Sequence, residues 1–226
     1  MGHRTQTELR IARFQERSQA LGPGTRAVVW FQGCVFDCPG CIAEEMNGSD
    51  DFELTTPSKL VDRVLKISGI EGVTLSGGDP FDQPLTLLAD FLEILKRRSE
   101  LSVMCYTGRT LDQLRRGGPN GVPARILKWL DILVDGLYVE SLNDGSAWRG
   151  SSNQQIHFLS PRYRQLESSV RESRERQLEV SVSPGGAIDI TGIPSAGFID
   201  RLRDQLSTRG LVLESEAPKG NQSGAI

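Results

Sequence analysis

The stretch Gly33-Cys34-Val35-Phe36-Asp37-Cys38-Pro39-Gly40-Cys41 follows the β-branched and aromatic run Ala27-Val28-Val29-Trp30-Phe31. It holds three of the four cysteines in the chain, with the spacing C-x3-C-x2-C. A secreted disulfide scaffold distributes an even number of cysteines along a short chain, whereas a tight cluster of this kind indicates a metal site. Thiolates select zinc, copper(I) or iron–sulfur clusters.

The number of ligands separates these metals. A structural zinc site is closed by four ligands, and an electron-transfer [4Fe–4S] cluster also takes four thiolates. The remaining candidates, Cys105, His157 and His3, are each isolated in the sequence. Three cysteines on one short loop therefore suit a cluster in which one iron is left open to a substrate or cofactor. A zinc site with a fourth ligand recruited from afar is the alternative.

Cys105 is expected to be a core residue. It lies in the apolar run 101–106, which is typical of a buried strand, and free cysteine commonly packs as a small hydrophobic residue.

The composition is that of an ordinary globular protein. The 226 residues carry 26 Lys and Arg against 29 Asp and Glu, a formal net charge of −3. This balance argues against nucleic acid or an anionic membrane as a partner, because both select a basic surplus. The N-terminal stretch is polar and lacks the apolar core of a secretory signal, and no apolar run approaches membrane-spanning length. We therefore expect a cytoplasmic protein that binds neither nucleic acid nor membrane.

Strand-like and helix-like segments alternate through the middle of the chain, which predicts an α/β fold around a parallel sheet. The predicted strands include 27–31, 73–75 and 101–106, and Thr56-Pro57 is expected to open a helix with Thr56 as its cap. Polar or glycine-rich turns follow the predicted strands: the cysteine loop, then residues 77–80, 107–108 and 135–136. Ligands in parallel α/β folds bind beyond the carboxyl ends of the strands. Each turn taken alone is unremarkable, but four of them are expected to meet on the rim that carries the cysteines.

The character of the sequence changes after about residue 160. A polar segment precedes two predicted strands, 178–182 and 187–191, which flank Pro184-Gly185-Gly186, and a helix is predicted over 197–206. We predict a core domain over residues 1–159, a small α+β extension over 160–216 and a disordered tail over 217–226.

Several motifs, taken together and in order, resemble the radical S-adenosylmethionine (SAM) superfamily. Within it they are most similar to the activating-protein family of anaerobic ribonucleoside-triphosphate reductase, whose targets carry a glycyl radical. The resemblance covers roughly residues 20–159 and rests on the following blocks: Gly22-Pro23-Gly24-Thr25-Arg26, Cys38-Pro39-Gly40-Cys41, Ser76-Gly77-Gly78-Asp79-Pro80, Tyr106-Thr107-Gly108, Leu133-Val134-Asp135-Gly136 and Trp148-Arg149-Gly150-Ser151-Ser152-Asn153-Gln154.

The resemblance implies an open, partial (β/α) barrel in which Cys34, Cys38 and Cys41 hold a [4Fe–4S] cluster, with SAM on the open iron. One electron from flavodoxin or ferredoxin would cleave SAM to a 5′-deoxyadenosyl radical, which would take a hydrogen from a glycine of a partner enzyme. The SAM-binding residues implied are Gly40, Ile42, Ser76, Gly77, Gly78, Asp79 and Asp135. No side-chain acid or base is assigned.

Two other functions stay open. A radical SAM enzyme with this core could modify a peptide or a small metabolite, with the extension as its recognition element. A non-catalytic metal-binding module that holds partners together is the third hypothesis. For the extension we expect a role in docking the target, in capping the barrel or in stability, and we expect SAM cleavage to survive its removal.

Overall fold

The fold is given by a computed structural model, which describes residues 7–48, 52–116, 121–186 and 188–212. Across these ranges, no helix combines the length and the apolar character needed to cross a bilayer.

Seven of the described strands form one sheet, in the order β3-β1-β2-β4-β5-β6-β7. Their bounds are β1 (Leu9–Ser18), β2 (Arg26–Phe31), β3 (Glu53–Thr55), β4 (Gly72–Gly77), β5 (Ser102–Thr107), β6 (Ile132–Asp135) and β7 (Gln155–Phe158). The central strands β2, β4, β5 and β6 pair in parallel. The predicted α/β fold with a largely parallel sheet is therefore confirmed.

Three flanking strands pair antiparallel and were not anticipated: β1 against β2, β3 against β1, and β7 against β6. The hydrophobic pattern does not reveal β1, because only Leu9 and Ile11 of its apolar residues are fully buried among many charged and polar ones. A half-exposed strand shows only a weak alternation of apolar and polar residues, and its pairing depends on residues distant in sequence.

The helices described are α1 (Glu45–Gly48), α2 (Pro57–Leu65), α3 (Leu85–Arg98), α4 (Leu111–Arg115), α5 (Val122–Leu127), α6 (Glu167–Glu172) and α7 (Phe198–Ser207). The predicted start of α2 is confirmed: the Thr56 side chain accepts a hydrogen bond from the Lys59 N–H, and Pro57 stands in the first turn. Helices α2, α3 and α5 pack side by side and bury the main hydrophobic core against the sheet.

The two faces of the sheet are used differently because successive side chains of a strand point to opposite sides. Val29, Leu75 and Cys105 lie in the core beneath the helices. Val28 and Trp30 belong to a separate apolar cluster on the opposite face. That second face carries the cavity described below.

Arg26 joins three central strands at the end of the sheet opposite the cysteines. Its guanidinium is 1% exposed, and it donates hydrogen bonds to Thr74 Oγ1 (2.7 Å), Ser102 Oγ (2.9 Å) and the Val73 carbonyl (2.8 Å). Burial lowers the pKa of Arg26 from its ordinary value. Through Arg26, the block Gly22–Arg26 therefore links β2, β4 and β5 by buried hydrogen bonds.

The C-terminal region forms a hairpin and a helix. Strands β8 (Leu178–Val182) and β9 (Ile188–Gly192) pair antiparallel and α7 follows, so the two predicted strands and the predicted helix are confirmed. The hairpin contacts β1 through polar side chains: Gln15 Nε2 donates to Glu179 Oε2 at 3.0 Å, and Arg13 Nη2 donates to Thr191 Oγ1 at 3.1 Å. The predicted disordered tail, 217–226, lies outside the described residues.

Candidate functional site

The cysteine loop leaves β2 and turns back at α1. One cavity of about 310 Å³ is lined by the side chains of Cys34, Cys38 and Cys41. All three are half-buried, and none forms a disulfide bond. The Cys41 N–H donates to the Cys38 carbonyl at 3.1 Å, which forms the turn Cys38-Pro39-Gly40-Cys41. The loop therefore brings the three predicted ligands to the same space.

Burial makes the Cys34 and Cys41 thiols poorer acids than a free cysteine. Desolvation raises the pKa of Cys34 to about 11, and the nearby Asp79 and Asp82 carboxylates add to the shift. Desolvation also raises the pKa of Cys41. Thiolate ligands must lose their protons to bind metal, so a cation at this position would reverse both shifts.

Three thiolates are a donor set that iron–sulfur clusters take. Across the described ranges, no group of three or more Cys, His, Asp or Glu side chains is arranged to hold a single metal ion. Ligands of one tetrahedral zinc lie about 2.3 Å from the metal, which brings their sulfurs to within about 4 Å of one another. In a [4Fe–4S] cubane each thiolate binds a different iron, so the sulfurs stand farther apart.

Cys105 is not part of this cavity. Its side chain is fully buried in β5 among the residues of the main core, and burial raises its pKa well above the ordinary value. The expected role as a small core residue agrees with this position.

Gly77 and Gly78 form the edge of the cavity beside the cysteine loop. A Cβ on Gly78 would lie 2.1 Å from the Gly33 carbonyl oxygen, and one on Gly77 would lie 2.5 Å from the Phe31 nitrogen. Gly77 also has a φ of 97°, which disfavours any other residue. The glycines are therefore required for close contact between the loop after β4 and the end of β2.

Five of the seven predicted SAM-binding residues line the cavity together with the cysteines: Gly40, Ile42, Ser76, Gly77 and Gly78. Asp79 and Asp135 are absent from its lining.

The Asp79 carboxylate is occupied by the protein itself. It is 1% exposed and accepts hydrogen bonds from the Thr107 hydroxyl (2.9 and 3.0 Å), the Gly108 N–H (3.1 Å), the Phe81 N–H (2.8 Å) and Arg109 Nη1 (3.0 Å). Burial nevertheless raises its pKa. This geometry favours a role for Asp79 in joining two loops of the rim rather than the direct contact with SAM implied by the resemblance.

The Asp135 carboxylate is likewise occupied by groups of the protein. Its Oδ2 lies 2.9 Å from His157 Nε2 and accepts a hydrogen bond from the Leu111 N–H. Burial alone would raise the pKa of Asp135, but these partners lower it below the ordinary carboxyl value. The carboxylate thus links β6 to β7 and to the start of α4, and the SAM contact implied for it finds no support in this position.

Asp82 and Arg109 are residues of the site that the motifs did not single out. Arg109 Nη2 lies 2.6 Å from Asp82 Oδ1, and Asp82 Oδ2 accepts a hydrogen bond from the Val35 N–H at 2.7 Å. The Arg109 guanidinium also lies 5.1 Å from the centre of the Phe36 ring. Both residues follow a motif closely, Asp82 after Asp79 and Arg109 after Gly108, and that proximity is the signal that could have revealed them.

The block Trp148–Gln154 supports the loop that follows β6. Gln154 Nε2 donates to the Gly136 carbonyl at 2.8 Å, Asn153 Nδ2 donates to the Leu137 carbonyl at 2.8 Å, and the Ser151 hydroxyl accepts from the Val139 N–H at 3.1 Å. This block therefore holds the loop 136–139 in place by hydrogen bonds, and two of its residues, Gly150 and Gln154, also line the cavity.

Comparison with known proteins identifies the core. A family model described as "4Fe-4S single cluster domain" matches residues 20–157. The anaerobic ribonucleoside-triphosphate reductase-activating protein of Escherichia coli K12 is 34% identical over 148 residues, which cover 61% of this chain and 91% of that protein. The chain belongs to this activating-protein family. The proteins of the same name from phage T4 (30% identical, 60% of this chain and 85% of the relative) and Vibrio cholerae (32%, 60% and 89%) agree.

Membership of the activating-protein family confirms the resemblance inferred from the motifs, and the family model supports an iron–sulfur cluster in this chain. The matched region ends at residue 157, so strands β8 and β9 and helix α7 lie beyond it. The residues that follow the matched region, which include β8, β9 and α7, are therefore additional to the activating-protein core, and we call them the C-terminal unit.

Proposed function

We propose that this chain is a radical SAM enzyme that installs a glycyl radical on a partner enzyme of the anaerobic ribonucleotide reductase type. The observation that carries the proposal is the meeting of three half-buried cysteines and the Gly77-Gly78 edge on one cavity, at the carboxyl rim of a parallel sheet. The names of the relatives support the choice of partner.

In this proposal Cys34, Cys38 and Cys41 hold a [4Fe–4S] cluster and leave one iron for the amino and carboxylate groups of SAM. When bound, the cluster supplies the electron that cleaves SAM to methionine and a 5′-deoxyadenosyl radical. Flavodoxin or ferredoxin is the proposed donor of that electron.

The protein residues bind SAM and exclude water. Gly77 and Gly78 lack side chains, so backbone carbonyls beside the cysteine loop are accessible to the ammonium group of SAM. Gly40, Ile42 and Ser76 contribute the remaining predicted contacts. Asp79 and Asp135 are proposed to position the loops that carry these residues. No side-chain acid or base is needed, because hydrogen abstraction by a carbon radical transfers the proton and electron together.

We further propose that the central strands curve as an open, partial (β/α) barrel around this cavity, with a core over residues 1–159 and a C-terminal unit over 160–216. A cytoplasmic location fits the need of such a cluster for reducing surroundings.

The test is anaerobic reconstitution followed by reduction in the presence of SAM. We expect iron and sulfide in the proportions of one [4Fe–4S] cluster per chain and formation of 5′-deoxyadenosine. Addition of a glycyl-radical reductase should then give a protein radical detectable by electron paramagnetic resonance. The same reductase with its radical-bearing glycine replaced by alanine is the control and should give no signal.

A second function is favoured by one observation: residues of the C-terminal unit also line the cavity. A radical SAM enzyme acting on a peptide or small metabolite would use such a wall for recognition. Formation of 5′-deoxyadenosine without radical transfer to any glycyl-radical reductase would favour this alternative. A protein with the cluster but no SAM cleavage would instead indicate a non-catalytic metal-binding module.

A further inference from the structure

The C-terminal unit contributes a continuous wall to the cavity that holds the cysteines. Nine consecutive residues, Gly192 to Asp200, line that cavity together with Cys34, Cys38 and Cys41. These nine residues lie beyond the region, 20–157, that the family model matches. The wall is therefore an addition to the activating-protein core. Gly192 ends β9, and we call the eight residues that follow it, 193–200, the extension wall.

The extension wall packs, through Ile193, against the same apolar cluster as the third cysteine. The half-buried Ile193 lies against the apolar cluster of Leu21 and Trp30, and Cys41 and Tyr106 pack against the same cluster. Ile193 thus supplies part of the apolar surroundings of the third cysteine. Phe198, also half-buried, lines the cavity further along the same segment.

Arg176 connects the extension wall to the core. Its Nη1 donates to the Pro194 carbonyl (2.9 Å) and to Asn143 Oδ1 (2.8 Å), while its Nε donates to the Ser146 carbonyl (2.9 Å) and its Nη2 to the Arg149 carbonyl (2.7 Å). Pro194 and Asn143 both line the cavity. One planar guanidinium therefore holds the wall and the loop 143–149 in fixed relation, a geometry that a lysine does not reproduce.

The segment held by Arg176 includes a strained residue. Trp148 has a φ of 58°, in the left-handed region that non-glycine residues seldom adopt. Such conformations persist where surrounding contacts over-determine them, and they concentrate at functional sites. The bonds from Arg176 to the carbonyls of Ser146 and Arg149 flank this residue on both sides.

We propose that the extension wall binds the adenosyl part of SAM and that Arg176 is the residue that positions it. This inference rests on the proposed function. Ile193 and Phe198 offer apolar surface, and Asp200 is the one charged residue of the wall. An apolar surface with backbone polar groups suits a flat heteroaromatic ring rather than the charged methionyl end of SAM. The wall then holds the cofactor in the cavity. Removing the extension should weaken SAM binding itself, which replaces the expectation from sequence that SAM cleavage survives this removal.

Hydrogen exchange on the full, reconstituted protein tests the contact without any mutation. We expect SAM to slow amide exchange in residues 193–200 as well as at the Gly77-Gly78 edge. Protection at the glycine edge with unchanged exchange in the extension wall would overturn the inference while leaving the proposed function intact. An absence of SAM binding to the wild-type protein would instead count against the proposed function.

Two variants test the positioning role by equilibrium binding of SAM. Arg176→Gln and Ile193→Ala should each raise the dissociation constant by about tenfold, the scale of losing hydrogen bonds from a charged group or the contact area of a half-buried apolar side chain. Arg176→Lys should fall between Arg176→Gln and the wild type. The iron content should not change, since neither residue is a ligand.

Arg164→Gln is the matched control, because Arg164 is exposed on the same C-terminal unit. It should bind SAM like the wild type. A purely structural Arg176 would lower the melting temperature and leave the dissociation constant unchanged well below that temperature, and this result would refute the positioning role. If Arg176→Gln does not fold, Ile193→Ala and the exchange experiment decide the question.

Discussion

The N–H of Val35 donates to the carboxylate of Asp82 at 2.7 Å, and this bond ties the cysteine loop to the turn that follows β4. Asp82 is held in turn by Arg109, which also binds Asp79. The position of the first cysteine therefore depends on a charged network contributed by the two neighbouring loops. The network lies beside the cavity and leaves the cysteines free to bind a cluster.

Asp82→Ala should loosen the cysteine loop without removing a ligand. We expect the cluster to be lost several-fold faster to an iron chelator, because Cys34 is no longer held in place by the Val35 N–H. The measurement is the decay of the cluster absorbance under anaerobic conditions. Asp90→Ala is the control, since Asp90 is an exposed residue of α3 that pairs with Arg125. Equal decay rates in the two variants would show that the loop does not need this tie.

The four cysteines should separate into two classes. Cys34→Ala, Cys38→Ala and Cys41→Ala should each abolish SAM cleavage, because each removes one ligand of the proposed cluster. Cys105→Ala should retain the cluster and lose only about 1–2 kcal/mol of stability, the cost of a small cavity in the core. Iron content and thermal unfolding measure the two effects. Loss of the cluster in Cys105→Ala would contradict the assignment of three ligands.

Gly78→Ala should disrupt the edge of the cavity. The added methyl group would lie 2.1 Å from a backbone oxygen of Gly33, so the two loops must separate. We expect a loss of about 2 kcal/mol or more in the free energy of unfolding and a large loss of SAM affinity. Gly185→Ala is the matched control, because the nearest atom to its new methyl group is a serine hydroxyl 3.8 Å away. Similar losses in both variants would contradict the packing argument.

Asp131 should contribute to stability in a pH-dependent way. Burial alone would raise its pKa, but Lys96 Nζ at 2.6 Å, the Ser160 hydroxyl and the Val103 N–H lower it below the ordinary value. A carboxyl with a depressed pKa in the folded state stabilises the protein above its unfolded pKa of about 4, and this contribution is lost on acidification. Asp131→Asn should cost about 2 kcal/mol at pH 7.

The cost of Asp131→Asn should shrink as the pH falls below about 4, because the carboxyl of the unfolded chain becomes protonated there, and it should vanish once the pH lies below the depressed pKa of the folded state. Urea unfolding at a series of pH values measures the difference. A cost that stays constant down to pH 3 would indicate that the charge of Asp131 plays no part. Asp62→Asn serves as the control, since Asp62 pairs with Arg98 at an exposed position.

The predictions from sequence succeeded where the signal was local. Apolar runs of three to six residues, each followed closely by glycine, revealed β2, β4 and β5, and Thr56-Pro57 revealed the start of α2. The C-terminal hairpin was marked by Pro184-Gly185-Gly186 between two β-prone runs. The antiparallel strands β1 and β7 were missed, because few of their side chains are fully buried and their pairing depends on contacts that no local pattern shows.

The predictions for the candidate site also succeeded where the signal was local and failed where it depended on distant contacts. Spacing identified the three cysteines and the two glycines, whose chemistry depends on residue type alone. It did not reveal that the carboxylates of Asp79 and Asp135 are engaged by donors from other loops. Which way a side chain points on a loop depends on partners brought near by the fold.

The order and spacing of the residues alone determined the alternation of strands and helices and the family to which the chain belongs, and they predicted the three thiolate donors. Only the tertiary structure decided that the C-terminal unit reaches the cavity and that Arg176 holds it there. A local sequence pattern indicates the structure that a segment prefers by itself, because the spacing of apolar residues and the backbone conformations open to glycine and proline act within the segment. A contact between residues 176 and 143, or between 193 and the cluster beside Cys41, exists only after the sheet has brought those segments together.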